Sequence, residues 1–252
     1  MKIVFNGDLV DIETAPCTPT GWLVGAGIFE TIRTVMGLPY AFNRHLVRAH
    51  KSAAIANVPL PDNALVVSAV NALLVNEPAP DGLLRISFDT NGQWAAVHLP
   101  YHPLTTPARV RLHPDALISN GESIKSYPYE HRIAIIEEAK LLGFDEAIVA
   151  NTEGRICEGA VSNLALLIDG RWLTPPTFDG VLPGIMRDLV IENCGVDVES
   201  IPVSRLKDIA SGFLLSSLRI AQPIASINGE ELAVSHAFND EIHAMAVLHS
   251  VG

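Results

Sequence analysis

Cysteine is scarce in this 252-residue sequence, and Cys17, Cys157 and Cys194 are an odd set at wide spacings. That excludes a disulfide framework or a cysteine zinc site and implies reduced thiols. Charge is sparse too, at 18% of residues, and cations are the scarcer sign, 17 against 28 acids, for a formal charge of −11. Such a chain has no general affinity for nucleic-acid phosphates, and an anionic ligand needs a local basic pocket. Long apolar runs are missing, so no segment reads as spanning a membrane, and MKIVFNGDLVD lacks the apolar stretch and cleavage site of a leader. A cytoplasmic location is the default expectation. The nine histidines supply no HxxxH pair on a predicted helix and no GxSxG elbow surrounds Ser162-Asn163, which argues against a metal site and a hydrolase triad. What remains is 48% hydrophobic, enough for a substantial core.

Turn signals divide the chain. Asn6-Gly7 after Ile3, Val4 and Phe5 suits a type I′ hairpin, and strand pattern returns at 27–36. HLVRAHKSAAIA (45–56) turns helical, with Leu46, Ala49 and Ala53 on one face and Arg48 at its edge. A second hairpin is signalled by LLRISF, Asn91-Gly92 and QWAAVHL. Pro107, Pro114 and the tract Ser119-Asn120-Gly121 mark a junction, giving a small N-terminal α/β domain (1–113), a linker (114–121) and a larger C-terminal domain (122–252). Then come a helix over 129–142 capped by Gly143, a meander through EAIVAN, RICEGAVSNLALLI and RWLTPP, and a helix over 185–193. A shorter helix is expected from Ser204 to Ala210, FLLSS and PIASI read as buried strands, and a last helix covers 235–251. Mixed strands and helices in two blocks predict an α/β (α+β) fold of two domains with a cleft for a ligand.

Three features carry chemistry: Lys125 just beyond the junction, Glu158 at a strand end, and the loop-to-helix start LPGIM, whose exposed N–H groups suit a phosphate. Each alone also fits a bland role. Taken in order, however, GAGIFETIR, HLVRAHKSA, IKSYPYEHR, DEAIVANTEGRICEGAVSNLALLIDGRWLTPP and GVLPGIMRDLVIE resemble the fold-type IV pyridoxal 5'-phosphate enzymes, the class IV aminotransferases. Branched-chain and D-amino acid aminotransferases and 4-amino-4-deoxychorismate lyases are members of that family.

The resemblance implies a D-amino acid aminotransferase-like fold, a pyridoxal 5'-phosphate cofactor, a small amino-bearing carboxylic acid as substrate and a homodimer. It places the Schiff-base lysine at Lys125 and the acid that pairs with the pyridine nitrogen at Glu158. Arg48, the backbone amides of Ile185 and Met186, and the Ser217 hydroxyl with its neighbour Ser216 fall where the family grips the phosphate. Thr31 in FETIR and the double serine of LLSSLR resemble the lyase branch, which releases pyruvate to give 4-aminobenzoate for folate synthesis. Against that, the Arg-Gly-Tyr element of many lyases is missing from SFDTNGQWAAVHLPY, which leaves a branched-chain or D-amino acid aminotransferase as the alternative. Arg219 is the candidate for a substrate carboxylate, with Arg109 and Arg111 as alternatives.

Overall fold

The computed structural model describes residues 1–117 and 123–249, so Ser119-Asn120-Gly121 lies outside the described residues. The chain forms two compact units, Met1–Pro103 with Ile124–Pro128, and Leu104–Ser123 with Tyr129–Leu248. This differs from a single junction at 114–121. The strand at 108–112 belongs to the second unit and Lys125 to the first, because backbone pairing rather than composition decides membership.

In the first unit, β1 (Lys2–Phe5) and β2 (Asp8–Asp11) form the expected hairpin, with Asn6 and Gly7 at φ 51° and 98°. The chain continues through β3 (Gly27–Val35), β4 (Leu38–Pro39), α1 (Phe42–Ala56), α2 (Asn63–Asn76), β5 (Asp81–Asp89) and β6 (Trp94–Pro100). It then lays β7 (Ala108–Leu112) in the second unit and returns as β8 (Ser126–Tyr127). Among the described residues the sheet runs β2-β1-β6-β5-β3-β4, with β8 also on β3, and every pair is antiparallel. Side chains alternate across β3. Ile28 and Ile32 join Leu46, Ala49, Val70 and Leu73 in the core beneath α1 and α2. Phe29, Thr31 and Arg33 take the other face. Helix α2, which the sequence reading passed over, is capped by Asp62, whose carboxylate accepts the Ala64 N–H at 2.7 Å.

The second unit adds α3 (Glu130–Leu141), β9 (Glu146–Ala150), β10 (Arg155–Gly159), β11 (Asn163–Ile168), β12 (Arg171–Thr174), α4 (Ile185–Asn193), β13 (Asp197–Val198), β14 (Ile201–Pro202), β15 (Ile209–Ser216), β16 (Ile220–Ile227), β17 (Glu230–Glu231) and α5 (His236–Leu248). Its sheet runs β13-β12-β11-β15-β16-β7-β9-β10-β14, with β17 on β16. Pairs β7–β9, β7–β16 and β12–β13 are parallel. Ile148, Ile156, Leu164, Leu214 and Ile224 pack on one side, while Ile135, Ile136 and Ala139 of α3 cover Ala147 and Val149. The helix expected from Ser204 is a 3-10 segment, Val203–Asp208. It ends because the apolar run from Ile209 is drawn into the sheet between β11 and β16.

Candidate active site

Lys125 is set apart from the other lysines by burial. Lys2, Lys51, Lys140 and Lys207 are exposed, whereas Lys125 is half-buried. Its carbonyl accepts the Phe29 N–H at 2.9 Å, continuing the β8–β3 register past Ile28 and Ser126. Opposed residues of an antiparallel pair share a face, and Lys125 Nζ lies 4.5 Å from the centre of the Phe29 ring. Thr31, two residues along that face, is half-buried and stands directly opposite Arg85 of β5. Arg85 stacks over the Trp22 ring at 4.3 Å and donates to the Thr20 carbonyl at 2.9 Å. No carboxylate among the described residues pairs with it, its buried Nε has no hydrogen-bond partner, and burial pushes its pKa down to about 10. A desolvated, uncompensated cation invites an anion.

On the core side of β3 the sequence hides a charged cluster. Arg48 of α1, 7% exposed, donates through Nε and Nη2 to Glu30 at 2.9 and 2.5 Å, and His45 Nδ1 lies 2.6 Å from the same carboxylate. Burial alone would raise Glu30, but the charge of Arg48 and the contact with His45 hold it down at about 2. Burial lowers His45 despite the pull of Glu30. An ionised carboxylate only accepts, so neutral His45 carries its proton on Nδ1. Glu30 was legible only as an acid at a core-facing position of a strand.

In the second unit Glu158, next to last in β10, is buried at 4% exposure. Its Oε1 accepts from Arg132 Nη2 at 2.8 Å, and its Oε2 from Asn163 Nδ2 and the Leu182 N–H at 3.0 Å each. Asn163 also donates to the Leu182 carbonyl at 3.0 Å. Only glycine fits at 184, since a Cβ there would sit 1.7 Å from Asn163 Oδ1. Gly184 in turn leaves α4 without a side-chain cap, so Ile185 and Met186 open the helix with their first-turn N–H groups uncapped. Ser216 ends β15 and its Oγ accepts the Arg219 N–H at 3.2 Å, while Ser217 is half-buried in the turn that follows. Ile220 closes that turn at φ 61°, a strained value for a β-branched residue.

The arginines named for a substrate carboxylate are each engaged within this unit. Arg219 is ion-paired with the fully buried Glu146, whose Oε1 also accepts from the Val161 N–H and Ser162 Oγ. Arg109 pairs with Asp145 and Arg111 with Glu138. Arg85, Glu30, His45 and Arg132 escaped the sequence reading because their partners are distant in the chain, and Asn163, five residues from Glu158, was weighed only beside Ser162.

The fold is that of the fold-type IV enzymes. A pyridoxal 5'-phosphate-bound form of a hypothetical aminotransferase from Mycobacterium tuberculosis superposes with a TM-score of 0.85 at 20% identity, covering 98% of this chain and 99% of that one. The model of the class IV aminotransferase family matches residues 27–227, and the chain belongs to that family of pyridoxal 5'-phosphate enzymes. A putative branched-chain-amino-acid aminotransferase of Methanocaldococcus jannaschii is 27% identical over 91% of this chain and 88% of its own length. A bifunctional aminodeoxychorismate lyase / D-amino acid transaminase of Mycobacterium tuberculosis is 25% identical over 82% and 84%.

Proposed function

We propose that the chain is a 4-amino-4-deoxychorismate lyase, which eliminates pyruvate and yields 4-aminobenzoate. The observation that carries this reading is that Thr31 stands directly opposite Arg85, whose guanidinium no described carboxylate neutralises, on the face that bears Lys125. The donor set suits the cofactor: a half-buried amine, a buried carboxylate, and N–H and guanidinium donors for a phosphate. When bound, the cofactor supplies a conjugated ring that takes up the electron pair released at the substrate carbon. Lys125 would hold the cofactor covalently until the substrate's own amine displaces it, and the freed Lys125 amine would then remove the proton from the amino-bearing carbon. Glu158 keeps the proton on the ring nitrogen. Arg48, the amides of Ile185 and Met186, and the hydroxyls of Ser216 and Ser217 hold the phosphate. Arg85, rather than Arg219, holds a substrate carboxylate, and Thr31 donates or relays the proton to the departing pyruvyl group.

The second reading is an aminotransferase for branched-chain or D-amino acids, favoured by the names of the relatives and by the missing Arg-Gly-Tyr element. A role in folate biosynthesis and a homodimer accompany the lyase proposal through the family resemblance, and a cytoplasmic location is proposed with them as the default. No described helix is long and apolar enough to cross a membrane. Product analysis tests the choice. Incubation with 4-amino-4-deoxychorismate and no amino acceptor is expected to release 4-aminobenzoate and pyruvate in equal amounts. Amino-group exchange between amino acids and 2-oxoglutarate without that release overturns the lyase reading.

A further inference from the structure

Arg132 has no task in the proposed reaction, and its position is poorly explained by its own helix. It lies in the first turn of α3, where the unsatisfied N–H groups carry partial positive charge and a cation is unfavourable. Its partner explains it instead. Nη2 donates to Glu158 Oε1 at 2.8 Å, with the two side chains 18% and 6% exposed. Meanwhile Nη1 is buried with no hydrogen-bond partner, so the guanidinium forgoes one bond in reaching this carboxylate. Asn163 and Leu182 fix the other oxygen, and three donors together leave the carboxylate no freedom to turn. A buried ion pair is a weak source of stability, yet a guanidinium touching a carboxylate strongly lowers that carboxylate's affinity for a proton.

We infer that Arg132 is a positioning residue for Glu158, holding it ionised and in one orientation and weakening its grip on the proton of the cofactor's ring nitrogen. The inference rests on the assignment of Glu158 to that nitrogen. Its consequence is a ring nitrogen that loses its proton at lower pH than Glu158 alone would allow, which tempers the electron demand of the ring.

The test is a pH titration by 15N NMR of protein reconstituted with ring-15N pyridoxal 5'-phosphate, in wild type, Arg132→Met, Arg132→Gln and Arg132→Lys. Removing the charge with Met or Gln is expected to make the ring nitrogen hold its proton about tenfold more tightly, a midpoint raised by about one pH unit, with Lys close to wild type. On a Glu158→Gln background, Arg132→Met is expected to shift the midpoint much less, since Arg132 acts through the carboxylate. Thermal melts accompany each variant, and if Met does not fold, Gln carries the test. Equal midpoints in wild type and the neutral variants, with or without a lower melting temperature, show a merely structural ion pair and overturn the inference. A ring nitrogen indifferent to Glu158→Gln itself defeats the assignment of Glu158, and the role of Arg132 falls with it.

Discussion

Replacing Glu158 by Gln keeps the shape of its site but removes the charge that faces the ring nitrogen. Cofactor content is expected to survive while turnover falls by about two to three decades, or about 2.7–4 kcal/mol of barrier; steady-state kinetics on protein of measured cofactor content decide it. Thr31→Val keeps the β-branched shape and deletes the hydroxyl. It is expected to leave the visible colour unchanged and to slow 4-aminobenzoate release by about tenfold or more, whereas unchanged release reduces Thr31 to a strand residue. Glu30 and His45 tie acid stability to the core of the first unit. His45 is held below its usual 6.5, so unfolding takes up a proton and stability declines as the pH falls below about 6.5. Glu30 adds a second decline between about 4.5 and about 2, the range over which only the unfolded chain protonates it. Denaturant titrations across pH are expected to show a shallower first decline in His45→Gln, and Glu30→Gln, which strands the buried Arg48 charge, is expected to lose about 3–5 kcal/mol at neutral pH. Lys125, Glu158 and Arg48 could be proposed from the sequence because the motifs around them are contiguous. The engagement of Arg219 with Glu146 could not, because an ion pair made across strands leaves no spacing to read.

Turns and glycines carry the information at the scale of elements. Asn6-Gly7, Asp169-Gly170 and Asn228-Gly229 all hold positive φ at both residues, so these connections follow directly from residue type. The helix beginning at Ile185 was visible from the loop before it. Helix α2 was passed over because NALVVSAVNALLVN is apolar nearly all round and shows little periodicity, and the 3-10 segment at 203–208 gave way to strand pairing that no local pattern announces. Gly184 joins two of these elements, since its bare backbone leaves room for Asn163, which in turn holds Glu158 and the Leu182 loop. Gly184→Ala is expected to push Asn163 off these partners, costing about 1–3 kcal/mol in chemical denaturation and weakening cofactor retention on dialysis. Wild-type values for both would show that the loop yields easily and that the glycine is not required by this contact.

For the molecule as a whole, the sequence disclosed two α/β units but not their membership, because the chain exchanges a strand in each direction, β7 into the second unit and β8 into the first. Consequently Lys125 belongs with the strand that carries Thr31, while Glu158 belongs to the larger sheet. A ligand bound only by the folded chain stabilises it, by about 2.7 kcal/mol at a hundredfold excess over Kd. Stripping the cofactor is therefore expected to lower the melting temperature by about 5–10 °C, recovered on adding pyridoxal 5'-phosphate. The most direct test of the account is borohydride reduction of the cofactor-loaded protein followed by peptide mapping. The phosphopyridoxyl group is expected on the peptide containing Lys125, and Lys125→Ala is expected to abolish both label and colour. A label on Lys2, Lys51, Lys140 or Lys207, or a Lys125→Ala protein that still reduces to a covalent adduct, contradicts it.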